Sequence, residues 1–223
     1  MEELIFSAKN YKDELFKQLS RIGKCLSSDK RLEILNLLTQ GPKTVERLAQ
    51  DTGMSVANVS RHLQVLNDSR LVKFTKKGTY AIYSLADPSV NDFLHSLWQI
   101  GESQLSDLTR IQEDFFGDIE GLYTLTMDEV YEKLKGGDIV LMDMRPEEEY
   151  EAGHIEGAVS IPMEKLDLYL QQIPKDKEVV AYCRGRYCVY SALAAQKLKN
   201  EGFAAFHMAE DIYEWQKYLE QKH

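Results

Sequence analysis

The feature that most constrains this chain is a change in its apolar period near residue 117. Before it, Leu4 to Leu26 and Arg31 to Leu38 place apolar residues at helical spacing, and Gly41-Pro42 stops the second helix. After it, the short apolar runs Ile139 to Met142 and Val179 to Tyr182 suit buried strands. They alternate with helical stretches at Met127 to Leu134, Tyr190 to Leu198 and Ile212 to Leu219. Strands alternating with helices imply an α/β domain whose mainly parallel sheet is covered on both faces. At 223 residues the chain fits two domains, each with its own core. The expected division is a mainly α domain over 1–116, a linker over 117–124 holding Gly117 and Gly121, and an α/β domain over 125–223.

Within the first part, Lys43 to Thr52 predicts a short helix, Gly53 a turn, and Ser55 the N-cap of the next helix. Leu71 to Leu85 carries β-formers on both sides of Lys77-Gly78, a hairpin signal. Asp87-Pro88 opens one long helix reaching about Phe115.

Charge divides along the same line. Residues 1–116 carry 15 basic and 15 acidic side chains, whereas 117–223 carry 12 and 21, which accounts for the whole net charge of −9. Residues 55–80 hold five bases (Arg61, Arg70, Lys73, Lys76, Lys77) against Asp68 alone, the local excess that a DNA-facing patch requires. No apolar run approaches the roughly 18 residues that span a bilayer, so no membrane partner is expected. Met1-Glu2-Glu3 does not begin a secretory signal, and a cytoplasmic protein is expected. Cys25, Cys183 and Cys188 are too few for a disulfide framework and read as free thiols.

The segment TVERLAQDTGMSVANVSRHLQVL, from Thr44, has the pattern of a helix–turn–helix. Leu48 and Ala49 face the core, and the second helix is expected to bury Val56, Val59, Leu63 and Leu66. Asn58, Arg61 and Val65 then lie on the far side, with Ser55, Ser60, His62 and Gln64 around them. Short polar side chains and an arginine suit base edges and phosphates of a major groove. Lys76 and Lys77 at the hairpin tip would meet neighbouring phosphates. Over about residues 20–110, with VSRHLQVLNDSRLV as the specific part, the chain resembles the ArsR winged-helix family. That resemblance implies a double-stranded DNA operator and a homodimer paired through Leu4–Leu26 and Asp87–Phe115.

Metal sensing is the weakest reading. The helix over Thr44–Gln50 has no cysteine pair, and Asp92 with His95 supplies only two ligands, too few to close a zinc sphere. Neither a metal nor a cofactor is expected.

The second part holds VVAYCRGRYCVYSALAAQKL, a strand ending at Cys183, a short loop, and a helix beginning near Tyr190. Loop N–H groups, the helix N-terminus, Arg184 and Arg186 all favour thiolate over thiol, so the expectation is a Cys183 well below the free value of about 8.5. Such a thiolate can attack a sulfur donor and hold its outer sulfur. Upstream, Asp143-x-Arg145, Glu149-Tyr150, Gly153-His154-Ile155-x-Gly157-Ala158 and Ile161-Pro162 resemble the rhodanese signature, which covers about 124–222. A chain joining the two modules in this order resembles a recurring family. The resemblance implies that Cys183 carries sulfur and that Asp143 and Arg145 brace the loop as an ion pair. The loop is six residues, Cys183 to Cys188, and Val189 follows where related phosphatases place an arginine, so phosphatase chemistry is not expected. Glu210-Asp211 stands where that family usually has two glycines, and its charge disfavours thiosulfate. Cys188 either attacks a Cys183 persulfide to leave a disulfide or packs against the sheet without meeting it.

Together these features describe a DNA-binding repressor whose rhodanese-like domain senses or carries sulfane sulfur on Cys183, with a sulfane-sulfur donor or thiol acceptor as partner. The alternative is a sulfurtransferase that uses the winged helix for targeting or autoregulation.

Overall fold

The structure, a computed structural model, describes residues 2–117, 119 and 121–222. It divides into two compact units, 1–100 and 101–223. The expected linker over 117–124 includes residues 118 and 120, which lie outside the described residues.

The first unit runs α1 (Glu2–Leu26), α2 (Asp29–Thr39), β1 (Lys43–Thr44), α3 (Val45–Thr52), α4 (Val56–Asp68), β2 (Val72–Lys77), β3 (Tyr80–Leu85) and the body of α5 (Pro88–Gln104). Side-chain oxygens of Ser28, Thr44 and Ser55 accept N–H groups at the starts of α2, α3 and α4, satisfying donors that a helix start leaves open. Gly53 closes α3 with φ +67°, the left-handed conformation that lets the chain turn sharply into α4. The strands form an antiparallel sheet in the order β1-β3-β2. The core gathers Ile34 and Leu35 of α2, Leu48 of α3, Val59, Leu63 and Leu66 of α4, and Leu94 of α5. This is a winged helix–turn–helix.

The second unit takes in the end of α5 and runs α6 (Ser106–Gly117), α7 (Met127–Gly136), β4 (Ile139–Asp143), α8 (Glu147–Ala152), β5 (Val159–Ser160), α9 (Leu166–Tyr169), β6 (Glu178–Tyr182), α10 (Tyr190–Asn200), β7 (Ala205–His207) and α11 (Ile212–Lys222). The sheet is wholly parallel, in the order β5-β4-β6-β7. The two-residue period of a strand sends alternate side chains to opposite faces. Val179, Ala181 and Cys183 join one core cluster with Met142, while Val180 and Tyr182 join another with Ile139 and Leu141. Cys183, the first residue after β6, thus lies inside the first of these layers.

Three expectations need correction. Residues 43–44 form a short strand beside β3 rather than the first turn of α3, because Lys43 pairs with Tyr83 and Thr44 caps the helix. Val56 is 47% exposed, since it occupies the first position of α4, beyond the core packed by Val59 and Leu63. The long helix expected to reach Phe115 breaks at Leu105 into α5 and α6. In a straight helix, residues 101 and 108 would lie about 10.5 Å apart along the axis. Here a Cβ on Gly101 would meet Leu108 Cδ1 at 3.3 Å, so the missing side chain leaves room for Leu108 where the helix breaks. Among the described residues, no helix is long and apolar enough to cross a membrane.

Candidate functional site

In the first unit, α4 presents a polar outer face. Ser55, Asn58, Arg61 and Gln64 are exposed, Ser60 and His62 are half-buried on its flanks, and Val65 is also exposed. The Ser55 hydroxyl accepts the Asn58 N–H at 3.3 Å. The β2–β3 hairpin turns through Gly78 at φ +62° with Lys76 and Lys77 exposed. The eight residues expected to meet DNA therefore lie on one helix and one hairpin. Cys25, by contrast, is buried, with its thiol turned to Val65 O at 3.8 Å.

In the second unit, the loop from Cys183 to Cys188 joins β6 to α10. Gly185 takes φ +81° and packs so closely on Asp211 that a Cβ would lie 3.2 Å from that side chain, a place only glycine fits comfortably. The turn closes with the Cys188 N–H donating to Gly185 O at 3.0 Å. It brings the two free thiols together as side-chain partners, each acting on the other's proton. Cys188 therefore meets Cys183 rather than packing away from it.

The sulfurs differ in their surroundings. Cys183 is 2% exposed, and burial pushes its thiol up, with the Cys188 sulfur adding to the effect. Cys188 is held below the ordinary thiol range, first by the Cys183 hydrogen bond and then by the backbone N–H groups of Tyr190 and Arg184. Tyr190 begins α10, so the helix start serves Cys188. This overturns the expectation that Cys183 holds the depressed pKa. The Arg184 backbone N–H and charge act on both sulfurs, but at Cys183 burial outweighs them, while Cys188 also has the Tyr190 N–H.

The arginines are also engaged differently. Arg184 makes a bidentate pair with Glu149, Nη2 to Oε1 at 2.6 Å and Nε to Oε2 at 2.9 Å, and the carboxylate is itself buried. Arg186 lies among three carboxylates, 3.3 Å from Glu102, 3.7 Å from Glu210 and 3.6 Å from Glu214. Both cations have carboxylate partners, and of the two it is Arg184 whose charge still favours the Cys183 thiolate.

Asp143 and Arg145 form a fully buried pair, with Nη2 to Oδ2 at 2.6 Å, and Arg145 also donates to Gly153 O at 2.7 Å. The Tyr182 hydroxyl donates to Asp143 Oδ2 at 2.6 Å and accepts the Ile155 N–H at 3.2 Å. Tyr182 immediately precedes Cys183, so this pair anchors the strand end from which the loop departs. Glu149, read in sequence only as part of a signature, is the corresponding anchor for Arg184.

A pocket of about 310 Å³ opens beside the loop, lined by Phe116, Arg186, Cys188, Ser191, His207 and Glu210 among others. His207 is 5% exposed and its Nε2 lies 2.7 Å from Thr124 Oγ1. Burial lowers its pKa to about 4, so the ring is neutral at neutral pH. The His207 Nδ1 and one Glu210 oxygen, Oε2, are buried without a hydrogen-bond partner among the described residues. Periodicity gave no warning of this pocket, because α6, β7 and the loop after β7 meet only in the folded unit.

A family model described as bacterial regulatory protein, arsR family, matches residues 28–73, and one described as rhodanese-like domain matches 126–218. The chain is 35% identical over 204 residues to HTH-type transcriptional regulator Rv0324 of Mycobacterium tuberculosis, covering 92% of this chain and 89% of that protein. It is 37% identical over 75 residues to thiosulfate sulfurtransferase GlpE of Coxiella burnetii, covering 34% of this chain and 68% of that one. Among solved structures it is similar to the homodimeric winged helix-turn-helix DNA-binding domain of Mb0332 from Mycobacterium bovis, at 35% identity and a TM-score of 0.41, covering 42% of this chain and 87% of that one. The chain belongs to the arsR family of bacterial regulatory proteins and carries a rhodanese-like domain after its winged helix.

Proposed function

We propose that this protein is a DNA-binding transcriptional repressor whose rhodanese-like domain senses or carries sulfane sulfur as a persulfide on Cys183. The observation that carries the reading is a pair of free thiols acting on each other at a strand–loop–helix junction, within a chain that matches an HTH-type regulator along 92% of its length. Ser55, Asn58, Ser60, Arg61, His62 and Gln64 would face the major groove, and Lys76 and Lys77 the flanking phosphates. Tyr11, Leu15, Phe16, Leu19 and Ile22 leave an apolar, solvent-exposed stripe along α1, which supports pairing of two chains through that helix. Arg184 and Arg186 would shape the loop, and Asp143 with Arg145 would brace it.

Sulfur loading would act as a switch only if the loaded and unloaded forms differ in DNA affinity. The test is a gel-shift titration on duplex DNA taken from upstream of the protein's own gene, before and after polysulfide treatment, with Cys183→Ser beside it. A change in affinity that disappears in the variant supports the reading, and identical affinities before and after loading reject it.

The likeness to a thiosulfate sulfurtransferase favours a second reading, catalytic transfer of sulfane sulfur to a thiol or cyanide. Turnover of wild type against Cys183→Ser decides it, and equal rates eliminate the enzyme.

A further inference from the structure

We propose that the pocket beside the loop binds a low-molecular-weight persulfide bearing an ammonium group, and that Cys188 first receives its outer sulfur and passes it to Cys183. This rests on the persulfide reading above and adds to it a ligand class and an order of events.

Access comes first. Cys188 is half-buried and lines the pocket, whereas Cys183 is 2% exposed and is not part of that lining. A molecule in the pocket therefore reaches Cys188 before Cys183. Charge selects the ligand. Arg186 is the cation of the lining and already lies within 4 Å of Glu102, Glu210 and Glu214, so a dianion such as thiosulfate meets a surplus of carboxylate. Glu210 keeps a buried oxygen unpartnered among the described residues, and the neutral His207 ring, stacked on Phe116 at 6.0 Å, lines the same pocket. A buried acceptor without a donor costs free energy until a ligand supplies one. An ammonium supplies it, and the Phe116 ring offers an apolar wall to the carbon chain between ammonium and sulfur.

The chemistry balances without an added oxidant. The Cys188 thiolate attacks the outer sulfur of R–S–SH, a new S–S bond forms, the S–S bond between the donor's inner and outer sulfurs breaks, and RS⁻ leaves. The Cys183 thiol gives its proton to RS⁻, producing RSH. The resulting Cys183 thiolate takes the outer sulfur from Cys188, and Cys188 departs as thiolate again. The net change is R–S–SH plus the Cys183 thiol giving RSH plus the Cys183 persulfide. Direction follows from where the two sulfurs sit, Cys183 buried and Cys188 half-buried at the start of α10. The sulfur with the lower pKa is the better leaving group and the one with the higher pKa is the better nucleophile, so transfer runs from Cys188 to Cys183.

The experiment treats the full-length protein with cysteine persulfide, N-acetylcysteine persulfide or thiosulfate, and follows sulfur uptake by intact-mass and peptide mass spectrometry over time. Wild type is expected to load from cysteine persulfide about tenfold faster than from the N-acetyl compound, which lacks the ammonium and so loses a charge-assisted hydrogen bond. Cys183→Ala should still gain one sulfur, located on Cys188. Cys188→Ala should load Cys183 about tenfold more slowly or not at all. Loading of Cys183 at the wild-type rate in Cys188→Ala overturns the relay while leaving persulfide sensing intact. Equal rates for the two persulfides overturn the ammonium assignment on unmodified protein, whatever the variants do. Failure of wild type to gain sulfur from any donor overturns the persulfide reading itself.

Discussion

Cys183 and Cys188 are free thiols at the two ends of one six-residue loop, close enough to act on each other's protons, one buried and the other half-buried. The buried sulfur keeps the proton. The half-buried sulfur, at the start of α10, keeps the charge. Two thiols this close share a titration, so the first proton lost belongs to the pair and the charge it leaves settles on the better-solvated member.

The pH dependence of alkylation follows. Cys188 should react with iodoacetamide at a rate that rises with a midpoint well below the free thiol value of about 8.5 and then reaches a plateau. Cys183→Ala removes the partner thiol and should move that midpoint upward. Peptide mapping after brief labelling across pH reads both effects, and an unmoved midpoint in the variant would assign the low pKa to the backbone donors alone.

His207 and Glu214 set opposing pH dependences on the stability of the second unit. His207 has a folded pKa lowered to about 4, against about 6.5 when unfolded. Between those values the unfolded chain holds the extra proton, so the contribution of His207 is complete above about 6.5 and is lost as pH falls toward 4. Glu214 is raised to about 7 by burial and by Asp211, so its contribution is complete below its unfolded value of about 4.5 and is lost as pH rises through 7. The two oppose each other between about 4.5 and 6.5. Glu214→Gln should unmask His207, steepening the loss on acidification by up to about 1.4 kcal/mol per pH unit. Urea midpoints followed by Trp215 fluorescence in a Trp98→Phe background check this.

Asp143→Ala leaves the Arg145 guanidinium buried without its carboxylate and takes the acceptor from the Tyr182 hydroxyl. Breaking a buried pair in this way costs about 3–5 kcal/mol. Glu14→Ala removes an exposed pair with Lys17 and should cost under about 1 kcal/mol. Denaturant titration of both variants should reproduce that contrast.

For the winged helix, Lys76→Ala and Lys77→Ala should each weaken DNA binding on all sequences and reduce the slope of log affinity against log salt by about 1. Arg61→Ala should instead relax discrimination between operator and non-specific DNA, costing about 1–3 kcal/mol if it meets a base edge. Binding titrations at several salt concentrations separate the two effects.

The sequence by itself determined the local parts of this protein. Helical spacing with Ser55 and Gly53 marked the helix–turn–helix, and β-formers around Gly78 marked the hairpin, because caps and turns depend on neighbours along the chain. The alternation after residue 117 was enough for a parallel sheet, and the spacing of Cys183 and Cys188 for a two-thiol loop. The short β1, β5 and β7 strands carried too little pattern to read. What only the tertiary structure decided was which sulfur is buried and where each charge is answered. Arg184 finds Glu149 35 residues away and Arg186 finds Glu102 84 residues away, so the cations that sequence assigned to Cys183 each have a carboxylate partner. His207 and Glu210 meet Phe116 and Cys188 around one pocket for the same reason. Electrostatic energies depend on distance and burial in space, and neither follows from separation along the chain.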